Sequence, residues 1–317
     1  KREVVKLNRC FKALVLFLIL QLLASTFAYG GSTGAAFLKL GVGARPIGMG
    51  SAFVAVADDA NAIYWNPAGL AGLEKREISA MHTEWITDIR YDFLGYVHPT
   101  SKLGTFAGSF SYLSMGEMEK RGENREKLNG GFTAYDLAIA LSYSRALSKM
   151  MNLGANLRFI QQKIENEDAY GIAFDLGGMY KMPVKGLSVG VTLQNLGPKM
   201  KFINEPYALP LTLTVGTGYR IVPGLTLALD VKHQLIEKRT TLSFGTEYWP
   251  ISLLALRAGY VGRLLSSVVD RRDEKIGDFL GLGAGLGMRL FGYQMDYSFV
   301  PFGDLGETHR ISFSVRF

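Results

Sequence analysis

Apolar and polar side chains alternate along most of the chain that follows residue 75. In the last segment, polar or charged residues separate Ile311, Phe313, Val315 and Phe317. A period of two places alternate side chains on opposite faces of a β-strand, so the pattern predicts strands and not helices. Turn residues divide the region into about fourteen predicted strands: 76–84, 88–99, 104–118, 132–147, 150–163, 169–183, 186–196, 210–222, 224–236, 240–250, 253–264, 278–290, 291–302 and 307–317.

The predicted connections alternate in length. Short turns that carry Pro, Gly or Lys, such as 223–224, are followed by longer polar loops, such as 264–278. This alternation is typical of a transmembrane antiparallel β-barrel, which has tight periplasmic turns and long outer loops. An even number of strands would then place both termini on the periplasmic side. The alternative is a soluble β-sandwich, in which the polar face of each strand would meet water.

In a barrel, the polar faces of the predicted strands would line the lumen. These faces carry charged residues at Asp136, Arg158, Asp175, Asp230, Glu247, Arg257, Arg289 and Asp296. The opposite faces carry large apolar side chains, with Tyr135 and Tyr143 near strand ends, and suit lipid bordered by aromatic girdles. We interpret the final Phe317 as a signal for the barrel-assembly machinery. These features predict an all-β protein, a multi-pass barrel in the outer membrane of a Gram-negative-type bacterium.

The first 28 residues predict a cleaved signal peptide. A basic leader precedes an apolar run, 13–23, that is about eleven residues long and too short to span a bilayer. A short buried helix is the alternative. The leader contains five Lys/Arg and one Glu, so its removal lowers the formal net charge from +7 to +3 and leaves no argument for a nucleic-acid partner. Cys10, the only cysteine, is removed as well, which excludes disulfides from the mature chain.

Residues 29–75 do not alternate and are rich in Gly and Ala. A barrel of about fourteen strands is too wide to be filled by its own side chains. We therefore predict that 29–75 form a lumenal hatch and that the barrel covers 76–317. Asn66 before Pro67 is typical of a helix N-cap followed by the first helical residue, so a short helix is expected to begin there.

The predicted hatch contains three charged residues next to its Gly- and Ala-rich runs: Arg45, Asp58 and Asp59. A charge that is removed from water needs a partner of opposite sign. We therefore expect these residues to pair with lumen charges such as Asp230 or Arg257.

Motifs of this segment resemble the N-terminal hatch of FadL-type outer-membrane transporters. They are Gly-Met-Gly-Ser-Ala-Phe at 48–53, the Asp pair at 58–59, and Trp-Asn-Pro-Ala-Gly-Leu at 65–70. The opening Phe-Leu-Lys-Leu-Gly-Val-Gly-Ala-Arg at 37–45 resembles the PorV/PorQ family within that group. The motifs cover residues 35–99, and beyond them only the barrel pattern agrees. The resemblance implies a hatch whose gating residues are Arg45, Asp58, Asp59, Trp65, Asn66, Pro67 and Ala68.

The resemblance implies two functions that the sequence does not separate. FadL-type proteins let long-chain fatty acids and other hydrophobic molecules pass through the barrel and out through a lateral wall opening, with the hatch controlling passage. PorV-like proteins serve type IX secretion and bind secreted cargo at the outer membrane. The expected partners are outer-membrane lipid, the barrel-assembly machinery, and either a hydrophobic ligand or secretion-system proteins.

Enzyme signatures are not found in the sequence. The four histidines, His82, His98, His233 and His309, lie on separate predicted strands or near turns, outside any metal-binding motif. We predict no catalysis, no cofactor and no metal site, and we expect His82 and His233 to be polar residues of the lumen. A barrel hydrolase with a Ser/His/Asp set that assembles in space is the alternative.

Overall fold

The computed structural model describes residues 33–84, 89–121, 126–263, 281–301 and 306–317. In this part of the chain the strands are β1 (Glu77–Glu84), β2 (Arg90–Thr100), β3 (Gly104–Arg121), β4 (Lys127–Ala146), β5 (Met151–Ile164), β6 (Glu167–Lys181), β7 (Leu187–Leu196), β8 (Met200–Phe202), β9 (Glu205–Tyr207), β10 (Thr212–Val222), β11 (Leu225–Gln234), β12 (Arg239–Ile251), β13 (Leu254–Arg263), β14 (Leu282–Leu290), β15 (Tyr293–Pro301) and β16 (Glu307–Arg316). Fourteen of these strands form a closed antiparallel barrel, which confirms the predicted fold class. The predicted signal peptide, 1–28, lies outside the described residues.

Strands that are neighbours in the barrel are also consecutive in the chain, with one exception, and β1 pairs with β16 to close the ring. The exception is β7, which pairs with β10 because β8 and β9 form a separate hairpin. The sequence predicts a loop in this region, since strands of three residues are too short to show a period of two. Short connections such as 223–224 and 291–292 define one end of the barrel, called the turn end. The opposite end is the loop end.

The two faces of the strands are those that the alternation predicts. Along β14 the inward glycines are buried, whereas the outward Leu286 keeps 51% of its surface exposed. The outward side chains form an apolar belt with tyrosines towards the turn end, and such a belt suits the hydrocarbon core of a bilayer. The expectation for His82 and His233 is wrong, because both share the outward phase of their strands with residues such as Ile78 and Leu229.

Residues 33–75, called the inner segment, lie inside the ring of strands. The short helical elements of this segment are Ala36–Lys39, Ala44–Gly48, Ala62–Trp65 and Pro67–Gly72. Ala44–Gly48 packs on β13 to β16, whereas Pro67–Gly72 packs on β3 to β6 across the barrel. Met49, Phe53 and Leu70 are fully buried, so the hydrophobic core lies within the barrel and around this segment. Among the described residues, no helix has the length and apolarity needed to cross a bilayer.

The inner segment runs along the lumen from one end of the barrel to the other. At the loop end, Thr33 Oγ1 donates a 2.5 Å hydrogen bond to Glu237, in the β11–β12 connection. At the turn end, the N–H of Arg76 donates to the carbonyl oxygen of Phe317 at 3.1 Å. The first described residue and Phe317 therefore lie at opposite ends, and the location of both termini on the periplasmic side stays a prediction. An even strand number fixes where β1 begins and β16 ends, but not the course of a segment that precedes β1.

The face assignment predicts that a substitution by arginine lowers the free energy of unfolding by different amounts on the two faces of β11. Leu229 points outward, whereas Thr226 lines a cavity inside the barrel. Leu229→Arg should lower the free energy of unfolding by ~2–4 kcal/mol, because it places a guanidinium against hydrocarbon. Thr226→Arg should cost much less, because its guanidinium reaches water. Urea unfolding of both variants in phosphatidylcholine vesicles measures the difference, and equal losses would show that the faces are assigned wrongly.

Candidate functional site

The wall comes closest to the inner segment at inward glycines, which form three patches. The β12–β14 patch faces residues 47–50, the β5–β6 patch faces 66–68, and the β7–β10 patch faces 54–56. In the same order, the glycines are Gly245, Gly259, Gly283 and Gly285, then Gly154 and Gly177, then Gly190 and Gly218. A Cβ at any of these positions would overlap or crowd the segment. At these positions the backbone of the segment approaches the wall closely because no side chain lies between them.

The Gly-Met-Gly motif at 48–50 contacts the β12–β14 patch. A Cβ added at Gly283 would lie 2.7 Å from the carbonyl oxygen of Ile47. Gly50 follows the helix with a φ of +59°, in the left-handed region that favours glycine, and its backbone lies directly against β13. The motif on which the family resemblance depends is therefore a packing motif, in which two backbones come into contact.

Arg45 joins the inner segment to the wall beside this patch. Its Nε and Nη2 donate to the two carboxylate oxygens of Glu247 at 2.7 and 2.8 Å, and its Nη1 donates to Asp58 and Asp59 at 2.6 and 2.7 Å. An arginine side chain remains protonated in proteins, and three carboxylates surround this guanidinium. The guanidinium therefore stays charged inside the barrel.

The ion pairs continue within the wall. Arg257 donates to Glu247 at 2.7 Å and to Asp296 at 2.8 Å. The resulting ion chain consists of Asp58, Asp59, Arg45, Glu247, Arg257 and Asp296. The segment's charges were predicted to pair with lumen charges such as Asp230 or Arg257. Arg45 does pair with a predicted lumen charge, but this charge is Glu247 and not one of those two. Arg45 lies on a helix that packs on β13 to β16, and from there its planar fork meets Glu247, which Arg257 also binds.

Asp230 instead binds the backbone of the inner segment. Its Oδ2 accepts hydrogen bonds from the N–H groups of Phe53 and Val54 at 2.8 and 2.9 Å. Asn66 is fully buried nearby, and its Oδ1 accepts from the N–H of Ala68 at 3.1 Å while its Nδ2 donates to the carbonyl of Val54 at 2.8 Å. Asn66 thus caps the helical turn that follows it, as its position before a proline predicts, and also joins two parts of the segment.

Wall amides that the sequence analysis did not single out bind the second α-helix of the segment. Asn156 Nδ2 donates to the carbonyl of Ile63 at 2.7 Å, and Gln194 Nε2 donates to the carbonyl of Tyr64 at 2.6 Å. They satisfy carbonyl groups that the end of a helix leaves without partners. Both amides lie on inward positions of β5 and β7, so the alternation contains the signal. The predicted lumen residues did not include these two amides, because only charged residues were considered.

The other residues of the predicted gate are buried as well. The indole N–H of Trp65 donates to the carbonyl of Val42 at 2.9 Å, and the ammonium of Lys232 lies 5.5 Å from the centre of the indole ring. Pro67 and Ala68 begin the turn that faces the β5–β6 patch. The structure therefore places all the predicted gating residues in the inner segment, and their role in gating stays a prediction.

The remaining predicted lumen charges form pairs within the wall. The pairs are Arg158–Asp175, Asp136–Gln162 and Arg289–Gln294, with distances of 2.7, 2.8 and 2.6 Å between the nitrogen and oxygen atoms. These residues lie on inward positions, as predicted, but these hydrogen bonds join residues of the barrel to one another. Charge on the inward face thus supports the wall more often than it binds the inner segment.

The inner segment does not fill the lumen at the turn end. A cavity of about 450 Å³ lies between residues 55–58, Gly69 and Gly72 of the segment and the wall formed by β5 to β7 and β10. This turn-end cavity makes the two sides of the segment unlike. One side is packed and ion-paired against β12 to β16, whereas the other is packed against glycine patches and borders open space only at the turn end.

Comparison with known proteins gives the family. Residues 29–312 match UPF0164, described as an uncharacterised protein family. The chain belongs to UPF0164. A UPF0164 protein of Treponema pallidum (strain Nichols) is 22% identical over 289 residues, which cover 84% of this chain and 65% of the relative. This UPF0164 chain thus spans less than two thirds of that relative. The narrower resemblance to the PorV/PorQ family stays a prediction.

Solved structures similar to this UPF0164 chain are FadL-type barrels. The toluene transporter TodX of Pseudomonas putida has a TM-score of 0.63 at 15% identity, with 87% of this chain and 97% of TodX covered. The toluene transporter TbuX of Ralstonia pickettii has a TM-score of 0.61 at 13% identity, covering 87% and 98%. A FadL homologue of Pseudomonas aeruginosa has a TM-score of 0.60 at 11% identity, covering 92% and 99%. At such identities the likeness shows the fold alone.

The glycine patches predict that neighbouring glycines of β6 differ in their tolerance of a methyl group. At Gly177 a Cβ would overlap Asn66 and Pro67, whereas at Gly178, which faces outward, it would lie 3.4 Å from Val191 in ordinary contact. Gly177→Ala should therefore lower the free energy of unfolding by about 1–3 kcal/mol. Gly178→Ala should change it by less than about 0.5 kcal/mol. Urea unfolding tests the pair, and similar values would contradict the close approach of segment and wall.

The ion chain predicts that Arg45→Met strongly lowers the stability of the folded protein. The substitution leaves the buried carboxylates of Asp59 and Glu247 without their shared partner, which should lower the free energy of unfolding by about 3–5 kcal/mol. Lys39→Met is the matched control, because the Lys39–Glu237 pair is partly exposed and should contribute at most about 1 kcal/mol. Thermal unfolding in vesicles compares the variants. A loss for Arg45→Met no larger than for Lys39→Met would argue against a buried ion chain.

Proposed function

We propose that this UPF0164 protein is an outer-membrane channel through which small hydrophobic molecules pass, with the inner segment as its hatch. One observation carries the proposal: the lumen of the barrel holds a segment of the same chain that is bound to the wall without pairing into it. An open porin has a water-filled lumen instead. Passage here requires movement of the segment or a route beside it, which suits selective passage and not bulk flow of polar solutes.

The fold supports this function, but it does not identify the substrate. TodX and TbuX are described as toluene transporters, and one fold hosts many activities. Hydrophobic molecules of the fatty-acid or aromatic kind are therefore the substrate class that we propose. The apolar belt supports a location in the outer membrane, and the short connections support a turn end that faces the periplasm. The proposal includes no catalytic step.

The contacts of the inner segment indicate which part moves. Residues 44–50 are held by the β12–β14 patch and by the ion chain. Residues 55–58 border the turn-end cavity, and the side chain of Asp58 is 54% exposed. We therefore expect 44–50 to remain in place and 55–58 to shift when a molecule passes, which breaks the hydrogen bonds that Arg45 donates to Asp58 and Ser188 donates to Ala55.

A PorV-like role in type IX secretion, with binding of cargo proteins, is the second candidate. The motif at 37–45 favours it by its resemblance to PorV/PorQ proteins. Phe37 and Leu38 of this motif are buried inside the barrel, where they would serve the hatch of either kind of protein. A pull-down from native outer membranes separates the two candidates. Secretion-system components among the bound proteins favour secretion, whereas bound lipid without a protein partner favours the channel.

Outer-membrane lipid and the barrel-assembly machinery are the partners that the channel requires. Phe317, the proposed assembly signal, is 57% exposed and shares the outward phase of Phe313. Its side chain is therefore accessible to a binding protein before the barrel is embedded in lipid.

The hatch function predicts an order of single-channel conductance in planar bilayers. A chain lacking 31–70 should conduct most and the intact chain least. Asn66→Ala should lie between them, because it removes a buried cap that contributes about 1 kcal/mol. Asn204→Ala, at the exposed tip of the β8–β9 hairpin, is the matched control and should conduct like the intact chain. Equal small currents from all four would mean that another part of the chain closes the lumen.

Passage itself is measured as accumulation of a radiolabelled long-chain fatty acid or of toluene by cells that carry the protein in their outer membrane. Accumulation should be faster than in cells without the protein. If the protein reaches the outer membrane and accumulation does not change for either compound, the channel function is wrong.

A further inference from the structure

Basic side chains collect on one part of the outer surface of the barrel at the turn end. Arg76 precedes β1, Lys102 lies in the β2–β3 turn, Arg145 ends the outward row of β4, and Lys149 lies in the β4–β5 turn. These four exposed residues, called the basic arc, follow one another along the neighbouring strands β1 to β5. Neighbouring strands are about 4.8 Å apart, so the arc spans roughly 20 Å of the circumference.

The opposite part of the same rim carries no charge on its outer surface. From β10 to β15, where every turn at this end lies within the described residues, the turns contain only Pro, Gly, Ser, Leu and Phe: 223–224, 252–253 and 291–292. The outward side chains at the ends of these strands are apolar or aromatic, among them Tyr219, Tyr248 and Tyr293. The basic arc is therefore a local feature of one side of the barrel and not a general property of its turns.

The aromatic residues beside the arc define its depth in a membrane. Tyr143 precedes Arg145 on the outward face of β4, and its hydroxyl donates a 2.8 Å hydrogen bond to the carbonyl of Leu103, next to Lys102. Outward tyrosines mark the border of the hydrocarbon core in transmembrane barrels. Two residues of a strand rise about 7 Å, so Arg145 and Lys102 lie just beyond that border, where lipid phosphates lie.

Large apolar side chains adjoin the cations on this surface. Leu103 and Leu147 keep 65% and 59% of their surfaces exposed, and the ring of Phe106 packs on Tyr143 with the ring centres 5.2 Å apart. A phospholipid uses both kinds of surface, because its phosphate meets the cations while its acyl chains meet the apolar residues. A soluble acidic protein would use the cations alone, since lipid already covers the apolar residues.

We propose that the basic arc binds anionic phospholipid in the leaflet that surrounds the turn end, with phosphate groups at Lys102, Arg145 and Lys149 and acyl chains against Leu103 and Leu147. Arginine and lysine are both common phosphate ligands. The inference goes beyond the proposed function and does not rest on it, because a lipid on the outer surface does not pass through the lumen.

The charge of the arc suits an anionic lipid more than a zwitterionic one. Among the described residues, none of the four cations forms an ion pair with a carboxylate, and the sequence neighbours Glu74 and Lys75 add no net charge. Solvation in water explains that the cations are exposed. It does not explain why they are confined to β1 to β5 and share the depth of lipid phosphates.

The test measures the lipid next to the arc. The full chain is placed in phosphatidylcholine vesicles with a rising fraction of brominated phosphatidylglycerol, which quenches tryptophan only at short range. Leu147→Trp introduces a reporter within the arc. Ile251→Trp is the matched reporter, because Ile251 pairs with the outward Leu254 on the uncharged part of the rim and is 57% exposed. The signal of the chain without a reporter is subtracted.

The two reporters should differ. A cation near an anionic lipid surface favours binding by a factor of about five, so quenching at Leu147→Trp should indicate phosphatidylglycerol enriched at least about fivefold over the bulk. Quenching at Ile251→Trp should follow the bulk fraction. Both leaflets of the vesicles have the same composition, so the orientation of the barrel does not affect the result.

Removal of the charge should remove the enrichment. In the Leu147→Trp chain, Lys102→Gln/Arg145→Gln/Lys149→Gln should return the local lipid to the bulk fraction. The matched control removes three exposed charges at the loop end and should leave the enrichment unchanged: Lys199→Gln/Lys201→Gln/Lys238→Gln. Sodium chloride at about 1 M should abolish the enrichment for the unsubstituted arc, which tests the same interaction without a change in the arc.

Four results would overturn the proposal. Equal enrichment at both reporters, or its loss in the loop-end control, would mean that lipid responds to net charge and not to the arc. The bulk fraction at both reporters would leave an acidic protein as the ligand of these cations. Stronger displacement by inorganic phosphate than by chloride of equal ionic strength would indicate a site for a free anion. Accumulation of fatty acid or toluene by cells is measured separately, so the channel function and the lipid site fail independently.

Discussion

The width of the barrel is the constraint on which the rest of the structure depends. Fourteen strands enclose more volume than their inward side chains fill. The chain fills this volume with its own N-terminal part, whose backbone groups then need partners, since an unsatisfied buried group costs about 1–3 kcal/mol. Asp230, Asn156 and Gln194 provide such partners from the wall. The number of strands therefore determines how much volume must be filled, and the segment that fills it determines which polar groups the wall must provide.

Glycine is what makes this arrangement possible. A wall lined by larger side chains would hold the inner segment away from the strands. Hydrogen bonds and ion pairs between the segment and the wall could not close the gaps that remain. At Gly283 and its neighbours, backbone lies against backbone, so short hydrogen bonds and the ion chain form without intervening space. The lumen wall is therefore specific for one segment, although most of its contacts involve no distinctive side chain.

The sequence predicted the strands well because alternation is a local property. Each barrel strand is long enough to show a period of two, and the same phase placed Glu247 and Asp230 inside. The partners of these residues were not predictable in the same way. Whether Arg45 meets Glu247 or Asp230 depends on which strands the segment packs against, which is a matter of tertiary geometry. The three-residue strands β8 and β9 are too short for any periodic signal.

The contacts between the two ends of the chain have a consequence for biogenesis. Arg310 and Ser312 of β16 bind the backbone of Gly41 and Ala44, across 269 and 268 residues of sequence. The same strand pairs with β1 to close the ring. β16 therefore completes both the wall and the enclosure of the inner segment. Since the inner segment enters at one end and joins β1 at the other, threading after closure would be slow, and the nascent barrel must fold around it. A barrel without β16 would lose the strand that closes its seam and two of the contacts that hold the inner segment, so closure of the wall and enclosure of the segment depend on the same strand.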